Sequence, residues 1–175
     1  MTREQLEHII RAAGAISGER ELVIVGSQAI LAAHPDAPAS LRASMEADLF
    51  PPAAPDKADL IDGSIGEGSP FHETFGYYAH GVGPETATLP PGWRARAVVV
   101  DNENTRGVRA LCPSPADLAV SKLLAGRDKD VAFVAALLKT TWIRPADVAA
   151  AAGELPPEAA ARARAGLARA AGEAP

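Results

Sequence analysis

The sequence predicts an α+β fold: a small mixed sheet flanked by helices, with a helical part towards the C-terminus. Three observations support that reading. Apolar, β-branched runs at 22–25 (LVIV) and 97–100 (AVVV), and an alternating run at 44–50 (SMEADLF), are bounded by turn-forming residues. Apolar residues at helical spacing precede the first run and recur between the later ones. Beyond Pro113 the strand signal is gone and only helical periodicity remains. A chain of 175 residues can bury a substantial core. We expect an α/β sheet core over 1–112 and a helical part packed on it over 113–175.

Residues 2–17 form the first expected helix. Thr2 is its cap, Gln5 stands at the capping-box position, and Leu6, Ile9, Ile10, Ala13 and Ile16 recur on one face until Gly18 ends it. A short buried strand over 21–25 follows. Ser27 occupies the N-cap position of a helix over 28–33, which Pro35 and Pro38 stop. The strand over 44–50 closes at Pro51 and Pro52, because proline cannot continue a central ladder. A helix is expected near 55–65, then a loop where Gly63, Gly66, Gly68 and Pro70 cluster, then a strand within the aromatic-rich 71–82. A strand over 95–101, a turn over 101–106 and a returning strand over 107–112 complete the sheet. Ser114 caps a helix with Pro115 at its first position, and Leu118, Leu123 and Leu124 stripe it as far as Gly126. Helices over 128–139, 145–152 and 157–171 come next, the last with Leu167 as its one large apolar anchor.

A net charge of −5 argues against a general nucleic-acid coat protein, though not against a local basic site for a nucleotide. The single Cys112 rules out an intramolecular disulfide framework and a zinc–cysteine cluster. No run approaches the roughly 20 apolar residues of a membrane span, and the charged, amphipathic N-terminal stretch is unlike a signal peptide. The expectation is a cytoplasmic protein with no membrane partner. His72 and His80 lack a matching Cys or His set, so no metal site is expected there; His8 and His34 are expected at the surface, and Trp93 and Trp142 are expected to pack against the core rather than to stack on a base.

The chemistry concentrates in 22–50. A strand running into Gly26-Ser27 and then a helix gathers backbone N–H groups and the positive helix end at one spot, where a triphosphate tail can sit. Gly permits close approach and the Ser hydroxyl adds a donor. Taken alone, such a pair is more often a plain turn and cap. Glu46 and Asp48 carry more. Two residues apart on a strand, they share one face while Met45, Ala47 and Leu49 point to the other. Two like charges side by side suit a hard divalent cation such as Mg²⁺. The simpler reading is a solvent-facing strand surface.

Together these features resemble the polymerase-β-like nucleotidyltransferase superfamily, whose signature is an apolar strand, Gly-Ser or Gly-Gly, a helix, then an acid-x-acid strand. Arg42-Ala43-Ser44-Met45-Glu46-Ala47-Asp48 looks like the Arg-x-Thr/Ser-x-Asp-x-Asp form of its abortive-infection type IV toxin branch. Lys122, followed by Arg127-Asp128-Lys129-Asp130, is similar to that branch's later Lys and Arg-x-Lys-Asp. The stretch 22–138 resembles the bacterial, nucleotidyltransferase-like family of unknown function numbered 6036.

The resemblance implies a nucleotidyltransferase-like sheet and a Mg²⁺-dependent transfer of a nucleoside monophosphate from an NTP to a hydroxyl of an RNA, such as tRNA, or of a protein. In the toxin branch it also implies a cognate antitoxin as partner. Such chemistry depends on metal-held carboxylates, positioning and charge neutralisation. Glu46 and Asp48 would hold the metal as catalytic residues, Gly26 and Ser27 the phosphates, and Arg42 a counter-charge or phosphate contact. Lys122, Arg127 or Lys129 would neutralise phosphate or contact the nucleotide, with Asp130 orienting one of these cations. Read without the resemblance, 127–130 is a solvated charged turn whose ion pairs are worth little. Two departures stand out. Glu46 replaces the usual Asp, and the best candidate for a third carboxylate is Asp101, with Glu73 a distant second. A turn-starting Asp before Asn102 is the commoner explanation of Asp101. These departures keep a second reading open: a catalytically weak nucleotidyltransferase-fold module that binds nucleotide or a partner protein.

Overall fold

The computed structural model describes residues 1–172, and among them the chain forms five strands and eight α-helices, joined in places by 3-10 turns. The backbone divides into two compact units. One comprises Met1–Thr86 and Val98–Cys112, the other Ala87–Ala97 and Pro113–Pro175.

The first unit opens with α1 (Arg3–Ser17). The Thr2 hydroxyl accepts from the Gln5 N–H while the Thr2 N–H donates to Gln5 Oε1 at 2.7 Å, a complete capping box. Gly18 closes the helix in the left-handed conformation. Leu6, Ile9, Ile10 and Ala13 are fully buried along its inner face, each large side chain contributing about 1.5–3 kcal/mol. Then come β1 (Glu21–Val25), a 3-10 turn Ser27–Ala29 running into α2 (Ile30–Ala33), β2 (Glu46–Phe50), α3 (Ala58–Ile65), α4 (Pro70–Phe75), β3 (Tyr78–Gly81), β4 (Val98–Val100) and β5 (Arg109–Cys112).

The strands form one mixed sheet in the order β3-β2-β1-β5-β4. β1 is its centre, antiparallel to β2 and parallel to β5; β2 and β3 are parallel, β4 and β5 antiparallel. Register fixes the faces. Ile24 pairs with Leu49, which pairs with Gly81, and Ala47 pairs with Ala79, so these residues share a face. That face carries α3: a Cβ on Gly81 would lie 2.0 Å from the Ala58 carbonyl oxygen, so only glycine lets the helix come this close. Glu46, Asp48, Tyr78 and His80 stand on the opposite face.

Two expectations for this unit need correction. Residues 70–75 form a helix rather than part of a loop or strand: Ser69 accepts from the His72 N–H and Pro70 fills the first helical position. This is the signal recognised at Ser114 and Pro115, hidden here by the aromatic, strand-like composition that comes after it. His8 is not a plain surface residue. Its Nδ1 lies 2.8 Å from the Tyr77 hydroxyl, and its ring packs against Phe71 and Phe75 at centroid distances of 5.0 and 4.8 Å.

The second unit contains a 3-10 turn Trp93–Arg96, α5 (Pro115–Ala125), α6 (Asp128–Lys139), α7 (Pro145–Ala152) and α8 (Pro157–Ala171). The strand expected over 95–101 is thereby shortened to 98–100. Arg96 is held instead by the fully buried Asp117, with Nη2 2.7 Å from Oδ1, and by Glu154, with Nη1 2.6 Å from Oε1. α8 packs through small residues. Ala160, Ala163, Gly166 and Ala170 are buried with Leu167, and a Cβ on Gly166 would lie 3.2 Å from the Leu123 side chain. Close approach thus replaces the large anchors the helix lacks. Trp142, expected to pack against the core, is 37% exposed.

Candidate functional site

β2 and β3 build the site. Their parallel register places Glu46 opposite Tyr78 and Asp48 opposite His80, so all four side chains share one sheet face. The Tyr78 hydroxyl donates to Glu46 Oε2 at 3.2 Å, and His80 Nδ1 lies 3.0 Å from Asp48 Oδ1. One ligand atom from each of Glu46, Asp48 and His80 falls within 4.8 Å of the others. The Asp48 side chain is 23% exposed and that of His80 51%, so an ion or phosphate can reach them from solvent. Burial, followed by the charge of Glu46 and its hydrogen bond, pushes the Tyr78 phenol up to about 12. Tyr78 therefore stays a protonated donor that holds one carboxylate oxygen of Glu46 and leaves the other unencumbered by it.

The Gly26 turn closes over the second carboxylate. Val25 is paired with Asp48, so the residue after β1 emerges directly beside it. Gly26 adopts φ 70° and ψ −173°, a region essentially reserved for glycine. A Cβ here would sit 2.2 Å from Asp48 Oδ2. Backbone and carboxylate are thus in close approach, and the Gly-Ser turn and the acid pair, separated in sequence, form one site.

The turn differs from expectation in one respect. Ser27 is not the N-cap; Gly26 is, and no side chain caps the turn. Gly26 leads into a single 3-10 turn and the four-residue α2, too short for a sizeable macrodipole. The turn can offer an anion its N–H groups and the Ser27 hydroxyl rather than a helix end. Behind it, Gln28 is buried, and its Nε2 donates to the Ser44 carbonyl at 3.1 Å. The Ser44 hydroxyl in turn accepts from the Glu46 N–H at 3.2 Å, which fixes the entry into β2. Gln28 Oε1 and Arg42 Nε are buried without a hydrogen-bond partner, so this corner is under-satisfied as it stands.

The donor set fits a divalent cation. Two carboxylates and an imidazole on one face supply the ligand types such ions take. The sequence shows no Cys or His set for His80; the structure gives it acidic neighbours instead, brought there by strand pairing. The local trace is Tyr78-Ala79-His80, which repeats the alternation of Glu46-Ala47-Asp48. The register between the two segments has no local signature. Asp101 does not join them. It follows β4, whose Val100 pairs with Ala110 beside Leu22, at the end of the sheet away from the acid pair. Glu73 is exposed on α4.

The remaining predicted residues form a group in the second unit. Asp130 is 1% exposed in the first turn of α6; Lys122 Nζ lies 3.1 Å from its Oδ1 and Arg127 Nε 2.6 Å from its Oδ2. Lys122 also sits over the Phe133 ring at 5.6 Å. Burial alone would raise the Asp130 carboxyl, but the Arg127 hydrogen bonds and the Lys122 charge outweigh it and hold the group below the usual carboxylate range. Asp128 and Lys129 are exposed. Asp130 is thus the buried hub of an ion-pair cluster rather than part of a solvated turn.

The profile of one family, described as a nucleotidyltransferase of unknown function and numbered 6036, matches residues 4–141. No curated protein and no solved structure matches significantly. The chain belongs to this nucleotidyltransferase-like family.

Proposed function

We propose that this family member is a cytoplasmic, divalent-metal-dependent nucleotidyltransferase that moves a nucleoside monophosphate from an NTP to a hydroxyl of an RNA such as tRNA, or of a protein. The observation that carries the reading is the packing of the Gly26 turn directly against Asp48, with Glu46 beside it on the same face. In this reading Glu46 and Asp48 hold Mg²⁺, and the Gly26 and Ser27 backbone with the Ser27 hydroxyl hold the phosphates. The metal supplies charge neutralisation and a lowered barrier to hydroxyl attack. The acceptor oxygen attacks the α-phosphorus, the bond to the β-phosphate oxygen breaks, pyrophosphate leaves, and the hydroxyl proton passes to the carboxylate pair. Tyr78 orients Glu46, and the N–H–Ser44–Gln28 chain fixes β2 so that both carboxylates stay in place. Arg42, Lys122, Arg127 and Lys129 are assigned to phosphate or nucleotide, with Asp130 holding two of them in position. A toxin role with a cognate antitoxin accompanies this assignment. No described helix is long and apolar enough to cross a membrane.

A radiolabel-transfer screen tests the reading. Each α-labelled NTP is incubated with Mg²⁺ or Mn²⁺ and with tRNA or cell lysate. A labelled acceptor formed by the wild type and lost in Asp48→Ala supports it; failure of calorimetry to detect any metal-dependent NTP binding refutes it. The second reading, a catalytically weak module, has its own support: Glu46 stands where the acid-x-acid pattern of the toxin branch it resembles has Asp, and the third member of the donor cluster is His80 rather than a carboxylate. NTP binding without label transfer to any acceptor would favour it.

A further inference from the structure

We infer that His80 is a metal ligand and that the site selects a first-row transition ion over Mg²⁺. The inference rests on the proposed nucleotidyl-transfer site and goes beyond it in naming the class of ion and the third ligand.

The geometry comes from strand pairing. His80 is locked opposite Asp48 by the β2–β3 ladder, so its imidazole is delivered to the carboxylate by backbone register rather than by a mobile loop. His80 Nδ1 and Asp48 Oδ1 are 3.0 Å apart. An ion bound to both at about 2.1 Å and at right angles would hold them about 3 Å apart, so the pair already has the spacing of adjacent ligands. Glu46 completes the set within 4.8 Å. Its second oxygen is tied by Tyr78, the outer hydrogen bond that commonly orients a ligating carboxylate. Asp48 Oδ2 occupies the space that a side chain at residue 26 would need, so the glycine lets the carboxylate keep its place beside the turn.

Chemistry then sets the preference. Mg²⁺ takes oxygen ligands and keeps its waters, whereas an imidazole nitrogen favours the transition ions. Mn²⁺ is the first-row ion that keeps the most oxygen affinity, which a triphosphate demands, and its electron spin makes it the probe for the imidazole.

Electron paramagnetic resonance on the full chain tests this. Wild-type protein should bind Mn²⁺, show nitrogen modulation of the bound-ion echo, and need at least about a tenfold excess of Mg²⁺ to release half of it. His80→Asp, at an exposed position where the fold can be checked by circular dichroism, should bind an ion without nitrogen modulation. It should also shift the Mn²⁺/Mg²⁺ preference about tenfold towards Mg²⁺. Mn²⁺ binding that depends on Asp48 but lacks nitrogen modulation, or an unchanged preference in His80→Asp, overturns this inference and leaves the nucleotidyl-transfer reading standing. Absence of binding, or binding unaffected by Asp48→Ala, overturns both.

Discussion

Replacing Gly26 by Ala should damage the protein in two separable ways. The backbone at φ 70° and ψ −173° lies in territory that an L side chain enters only under strain, at a cost of about 1–3 kcal/mol. The new methyl would also start 2.2 Å from Asp48 Oδ2, and overpacking of this kind costs about 1–3 kcal/mol more. Gly26→Ala alone is therefore expected to lose about 2–6 kcal/mol in urea unfolding followed by circular dichroism, with the denaturant slope unchanged. Truncating the neighbour removes only the second cost. In an Asp48→Ala background the same glycine substitution should cost about 1–3 kcal/mol, so the double-mutant cycle should return a coupling of about 1–3 kcal/mol. A coupling within about 0.5 kcal/mol of zero would show that the turn and the carboxylate are not in contact. A loss well below about 1 kcal/mol from Gly26→Ala itself would refute the backbone claim.

Three further outcomes are expected. Asp130→Ala strips the buried partner from Lys122, and should cost about 3–5 kcal/mol by the same unfolding assay; the exposed Arg127 adds little. Because the folded Asp130 carboxyl is held below its ordinary value of about 3.9, its contribution is fully present above that pH. It is lost as pH falls through the depressed value, so wild type and Asp130→Asn should converge in stability under acid, and a constant gap would count against the cluster. Tyr78 should titrate near 12 by absorbance at alkaline pH in a Tyr77→Phe background. Its raised value means that the neutral phenol stabilises the fold fully below about 10, an advantage lost as pH climbs through about 12. Glu46→Gln should move the midpoint part of the way down, burial remaining as the larger cause; no movement would place Tyr78 away from the carboxylate. Cys112 is fully buried, and burial pushes its thiol up to about 12. A thiol-specific chromogenic disulfide should therefore leave the native protein unreacted and label it only in denaturant; rapid native labelling would refute this.

The range of each physical signal decides how far it could be foreseen. Thr2, Gln5 and Gly18 set the bounds of α1 through contacts within a few residues, and Ser114, Pro115 and Gly126 do the same for α5. Glu46 and Asp48 share a face because strand alternation is local. The closeness of His80 to Asp48 was not legible because it depends on a partner 32 positions away, reached only through the β2–β3 register. Asp101 failed as a third carboxylate for the complementary reason: the β4–β5 antiparallel pairing carries it to the other end of the sheet. The role of Gly26 was half legible. Its freedom of φ could be anticipated, but the pressure of Asp48 on its missing side chain could not. At α4, the cap at Ser69 and Pro70 was present in the sequence and was outweighed by aromatic composition.

The central strand of the sheet has a history as well as a position. β1 is translated well before one of its two flanking strands, β5, which arrives only with Arg109–Cys112, after the excursion of Ala87–Ala97 into the other unit. Until then a nascent chain can pair β1 on its β2 side only, leaving a run of four buried-type residues with unpaired amides. Parallel pairing across such a separation is slow, because loop closure precedes any gain from the ladder. A chain released before Cys112 would thus expose an adhesive strand edge, and one that stalls there invites chaperone capture. Cutting the protein at Thr86 to isolate the acid-pair segment would recreate that state permanently, because the strand that leads into the glycine turn has its second edge covered by the late hairpin.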